Sequence, residues 1–199
     1  MKLTRMITMT MLAGLCPYAA TAKPAATRTV TVCAQGWSMP AMIQARMTAS
    51  RLFREIGVRL QWAKPGSCPA GAIRISISRS TPDSFYPGAL GCTWPFGGAQ
   101  VEIFLDRIEK NNPRIVPNLL GYVIAHKITH VIERTGGHSD HGVMKAHWDW
   151  RDFARMEGNR LRFAQDDVDL IFRGLARRTP AVGFPTNAAA ISAGDIVPR

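Results

Sequence analysis

A chain of 199 residues has room for one ordinary domain, which excludes an architecture of several independent cores. Its formal net charge of +11 favours anionic partners such as lipid headgroups, acidic cell-wall polymers or nucleic acid, but no nucleic-acid motif and no basic run interleaved with aromatics accompanies it. Specific nucleic-acid binding is therefore not expected, and past the N-terminus no segment approaches the ~20 apolar residues that a membrane span requires.

The chain opens MKLTRMITMTMLAGLCPYAATA, in which Lys2 and Arg5 precede an apolar run closing on Ala20-Thr21-Ala22. That is the pattern of a secretory signal peptide cut after Ala22. The threonines and Pro17 argue against a membrane anchor, and Leu15 between Gly14 and Cys16 departs from a lipid-attachment pattern. Cleavage removes Lys2 and Arg5 and no acid, taking the net charge from +11 to +9. The expected product is a secreted or periplasmic protein with a solvated basic surface, made of one domain over 23–178 and a disordered Ala- and Pro-containing tail over 179–199. Cys33, Cys68 and Cys92 remain after cleavage. Export predicts one disulfide among the three possible pairs, and three buried thiols are the alternative.

Further along, RTVTVC (Arg28 to Cys33) alternates as a strand. Ser38 and Pro40 open a helix with Met42, Ala45, Ala49, Leu52, Phe53 and Ile56 at helical spacing, and Gly57 ends it. VRLQWA puts Val58, Leu60 and Trp62 on one face, and AIRISIS does the same with Ile73, Ile75 and Ile77, so both are predicted strands. Ser80 to Gly98 reads as a long loop rich in Gly, Pro and aromatics, and AQVEIFLDRI after it as a fourth strand. Pro117 suits the first turn of a helix whose Leu120, Val123, Ile124, Ile128 and Val131 face a core. A further helix is predicted from Gln165 to about Arg177. No internal repeat and no linker divides the chain.

All five histidines lie between His126 and His147. His126 and His130 are four apart, so on a helix of ~3.6 residues per turn both project from nearly one face and can grip one cation. His138 lies beyond Gly136-Gly137, where glycines let a helix end and the chain turn back. Three histidines with a fourth position left to water is the geometry of a catalytic rather than a structural zinc site.

The stretch HKITH…GGHSDHGVM resembles the metzincin zinc metallopeptidases, whose active-site helix reads H-E-x-x-H and is followed by a glycine turn, a third histidine and a methionine-containing turn. HSDHGVM, with His138 leading and Met144 closing, is similar to the matrixin style. The chain also resembles a group of secreted bacterial proteins running from H-E-I-G-H through A-H-S-P-T-G-I-M. There the third histidine follows the second by eight residues, as His138 follows His130. In element order the likeness spans about Thr29 to Arg177, and its specific part is about Leu119 to Trp148.

The resemblance implies an α+β domain in which a twisted mixed sheet of about four to five strands carries an active-site helix, with helices after it. It implies zinc as cofactor, His126, His130 and His138 as its ligands, and Met144 as the hydrophobic floor beneath them. It also implies hydrolysis of a peptide or protein substrate by zinc-activated water.

Lys127 stands at the glutamate position, where the family has the general base, a role worth about 10²–10⁴-fold. A charged lysine cannot accept that proton. Three readings of Lys127 stay open: its ammonium repels the dication, burial lowers its pKa until the free amine acts as base, or it swings to solvent and a water or Glu133 substitutes poorly. Glu133 itself is expected to be a solvated helix-end carboxylate. His141 and His147 are expected to be turn or packing residues. The strand Val101 to Leu105 can pair with an extended peptide at a sheet edge, with ordinary core packing as the alternative, and the aromatic loop Phe85 to Phe96 can wall a cleft. Function is thus either impaired peptide-bond hydrolysis or, with hydrolysis lost, binding of a peptide or protein partner. A basic adhesin for anionic polymers is the third class.

Overall fold

The structure, a computed structural model, describes residues 28–35, 40–64, 66–94 and 99–178. The expected signal peptide, the expected tail, Ser38 and the end of the aromatic loop (95–98) lie outside the described residues. In chain order the elements are β1 (Arg28–Ala34), α1 (Pro40–Glu55), β2 (Val58–Trp62), β3 (Ile73–Ser78), β4 (Gly91–Trp94), β5 (Gln100–Phe104), α2 (Leu105–Asn111), α3 (Val116–Glu133), α4 (Trp150–Glu157) and α5 (Gln165–Arg177).

Alternation of β-branched and polar residues makes the sheet. Val30 and Val32, Val58 and Leu60, Ile73 and Ile75, and Val101 and Ile103 are all buried in one core. The residues between them, such as Arg59, Gln61, Arg74 and Glu102, are exposed or half-buried, so one face of the sheet is apolar. The strands run in the order β2-β1-β3-β5-β4. The first four are parallel neighbours, with Val32 opposite both Trp62 and Ile73, and Ile75 opposite Val101. β4 runs antiparallel to β5, with Thr93 opposite Val101.

Helices α1 and α3 pack together over the apolar face. Their approach needs Gly121, because a Cβ there would lie 2.7 Å from the Ala45 carbonyl oxygen and 2.6 Å from the Thr48 Cβ. Met42, Leu52, Phe53, Leu119, Leu120 and Tyr122 fill the seam at 1% exposure or less, each worth about 1.5–3 kcal/mol on burial. The α+β expectation and the mixed sheet hold.

Three readings of single elements are corrected. AQVEIFLDRI is a strand only to Phe104; Leu105 and Ile108, three apart and both fully buried, belong to α2. Asp106 in its first turn accepts from the Thr81 hydroxyl at 2.7 Å and the Thr81 N–H at 3.2 Å. The stretch taken as a loop contains β4, so Val101–Phe104 is an inner strand between β3 and β4 and has no free edge for a peptide. The expected single disulfide is present, between Cys33 and Cys68, while Cys92 on β4 is a free thiol whose pKa burial raises to about 12. Finally, α4 was not predicted. It starts at a capping box in which Asp149 accepts from the Asp152 N–H at 3.2 Å and Asp152 accepts from the Asp149 N–H at 3.1 Å.

Candidate metal centre

The site is built on α3, the most deeply enclosed helix of the fold, with Pro in its first turn and every residue from Leu119 to Glu133 buried except half-buried Lys127. It ends where Arg134 takes the left-handed conformation (φ 57°) and its N–H bonds back to the His130 carbonyl at 2.9 Å. The turn therefore falls on an arginine, and neither Gly136 nor Gly137 has a positive φ. The chain then doubles back through a second turn at Gly142 (φ 80°), where a Cβ would sit 2.6 Å from the Arg162 carbonyl. Only glycine fits there without displacing backbone.

These two turns bring His138 to His126 and His130. The three ring centroids are 4.7, 4.9 and 5.2 Å apart, and one nitrogen from each ring lies within 4.8 Å of the others. His126 and His130 are 5% and 4% exposed. His126 Nδ1 donates to the Val143 carbonyl at 2.8 Å, and His130 Nδ1 donates to the Thr135 carbonyl at 2.9 Å. A carbonyl oxygen only accepts, so both protons reside on Nδ1 and both Nε2 atoms hold bare lone pairs. Those two Nε2 atoms stand 2.9 Å apart. Two lone pairs at that separation repel, and a cation between them converts repulsion to ligation, which is the fit expected for zinc held at about 2.0–2.1 Å from each nitrogen.

Burial keeps the rings neutral, the form a metal needs. It pushes His130 down to about 3 and His138 down to about 4, and it holds His126 well below the ordinary histidine value, with neighbouring positive charge adding to each effect.

Met144 is buried in the return turn, where its carbonyl accepts the Ser139 N–H at 3.0 Å. The Ser139 hydroxyl donates to the buried carboxylate of Asp167 on α5, whose other oxygen accepts the Ala164 N–H at 3.2 Å. Asp167 thus ties the residue after His138 to α5. Below the turn Lys145 bridges Asp149 and Asp152 at 2.7 Å each. Trp148 stands edge-on to His126 at 5.5 Å, and its indole N–H donates to the Gly142 carbonyl at 3.3 Å. Sequence reasoning missed Asp167 and the two carbonyls. The carbonyls leave no trace in side-chain identity, and Asp167 reads simply as a helix-start acid.

Lys127 lines a cleft of about 210 Å³ beside His126 and His138. It does not swing to solvent, and burial lowers its pKa to about 8. Glu133 corrects a second expectation: it is 6% exposed, turned toward Asp167 and Arg173 of α5, with Oε1 lacking a hydrogen-bond partner. Burial first and Asp167 second raise its carboxyl to about 7. His141 and His147 are exposed and lie outside the three-histidine cluster.

The fold and the site together describe a mixed α/β domain with a three-histidine cluster able to hold a metal. Among solved structures the chain is similar to archaemetzincin from Methanopyrus kandleri, with a TM-score of 0.52, 13% identity, and coverage of 78% of this chain and 99% of that one. At that identity the likeness concerns the fold. No protein-family model matches the sequence, and no curated protein matches it.

Proposed function

We propose that this is an exported zinc-binding protein of metzincin-like fold in which Lys127 has severely impaired or abolished peptide-bond hydrolysis. The observation that carries the metal is the pair of facing Nε2 lone pairs, held by two backbone carbonyls and joined by His138. Zinc, when bound there, supplies Lewis acidity and activation of water. The chain's own contribution is to fix the ring tautomers through the Val143 and Thr135 carbonyls and to hold the His138 turn through Ser139 and Asp167.

What the cleft lacks is a carboxylate to serve as general base, His147 being the one imidazole on its wall outside the cluster. Lys127 at the cleft wall is a cation, Glu133 faces α5, and among the described residues no Asp or Glu lines the cleft. The same absence supports the second reading, a binding module in which no hydrolysis survives. Assayed on an unstructured protein such as casein, Lys127→Glu is expected to exceed the native chain by ~10²-fold or more, and the native chain separates the two readings: residual hydrolysis supports impairment, and hydrolysis in the variant alone supports the binding module. Equal activity in both would contradict the assignment of impairment to Lys127. Export is proposed from the N-terminal pattern, and N-terminal sequencing of the secreted protein should begin at Lys23.

A further inference from the structure

The cleft beside the histidines has an unusual balance of charge. Leu90, Val123, Trp148 and Phe153 give it an apolar side, Asn111, His126, His138 and His147 a polar one, and its lysines are Lys127 and Lys145. Lys145 is already neutralised by two carboxylates at 2.7 Å. Among the described residues Lys127 makes no salt bridge, so no carboxylate neutralises it. A half-buried lysine without a carboxylate partner, at the wall of a partly apolar recess, is a site that gains from an incoming anion.

The recess selects which anion. Its volume of about 210 Å³ admits one amino-acid side chain with its carboxyl group, and Leu90, Val123, Trp148 and Phe153 offer apolar contact to that side chain. A single ammonium matches a single carboxylate. We propose that the cleft binds an apolar monocarboxylate, its carboxylate on Lys127 and its apolar body against Trp148 and Phe153. This deepens the proposed function, resting on the same site but on Lys127 rather than on the metal. Substitution of the family's carboxylate by lysine thus changes what the site holds: an amide to be cut gives way to an acid to be kept.

Two sources share this chemistry, the C-terminus of a peptide and a free aryl or alkyl acid. The test is calorimetric titration of the full chain with N-acetyl-leucyl-phenylalanine, its C-terminal amide and 3-phenylpropionate, each with chelator and with added zinc. With chelator, the acid is expected to bind at least tenfold more tightly than the amide. Lys127→Met should erase that difference, and Lys127→Arg should retain it. If 3-phenylpropionate equals the peptide acid, the source is a free acid, and if it is much weaker, the source is a peptide terminus. Equal binding of acid and amide, or a preference that survives in Lys127→Met with chelator, overturns the proposal. Zinc uptake by the samples given zinc keeps the two ideas apart: acid preference with chelator but no zinc retained after zinc is added counts against the metal reading alone, and zinc retained without acid preference in chelator counts against the carboxylate alone.

Discussion

Helix α3 has two unlike sides. Toward the cleft it shows neutral histidines and a lysine with no acid facing them; toward α5 it shows Glu133 against Asp167, two acids in one buried seam with Arg173 near. The cleft side is set up to take a cation at the histidines and an anion at Lys127. The seam side lies away from the cleft, yet through Ser139 it ties down the residue after His138. A site of this kind is therefore only as well placed as the acid behind it.

The sharpest way to break that dependence is Asp167→Asn. It weakens both the hold on the Ser139 hydroxyl and the cap on the Ala164 N–H, which are charge-assisted and buried. Zinc affinity should fall by about 10–100-fold, measured by competition with a chromogenic chelator, and stability by about 1–3 kcal/mol, measured by urea unfolding. An unchanged affinity would mean that His138 is placed without α5.

Acid and base should then attack the two sides separately in metal-free protein. The histidines have depressed folded-state pKa values, so their contribution is present above the unfolded value of about 6.5 and is lost as pH falls toward about 4 and then about 3. Glu133 has the opposite sign. Its raised carboxyl favours the folded state below the unfolded value of about 4.3, and that contribution is lost as pH rises through about 7. Glu133→Gln should remove the loss of stability between about pH 4.3 and about pH 7 and leave the loss below about pH 4 in place. A curve unchanged by the substitution would remove Glu133 from the seam's energetics.

The smallest expected effect concerns neither side of α3. The basic surface is proposed to bind anionic polymers, and retention on an immobilised polyanion should fade as salt approaches 1 M, where the Debye length is about 3 Å. Retention that ignores salt would show that charge is not the cause.

Much of this was legible before any coordinates. The valine and isoleucine alternation marks β1, β2 and β3 because each strand buries one face. The four-residue spacing of His126 and His130 marks one helix face, and the return of His138 follows from the likeness in spacing. Local context hid the rest. β4 has four residues set in a glycine- and aromatic-rich stretch, too few to display a period. At Phe104–Leu105 a strand passes into a helix with no polar residue between, so the apolar run looks continuous. The left-handed residue at the end of α3 is Arg134 although two glycines stand nearby, because the His130 carbonyl is capped one residue past the helix. Glu133 looks solvated in sequence because α5, the element that covers it, is distant in the chain.

The most direct measurement is elemental analysis of metal in the purified protein beside His130→Ala. The account predicts about one zinc per chain in the native protein and its loss in the variant, with the fold retained by circular dichroism. No zinc in the native protein, or zinc undiminished in His130→Ala, would contradict it.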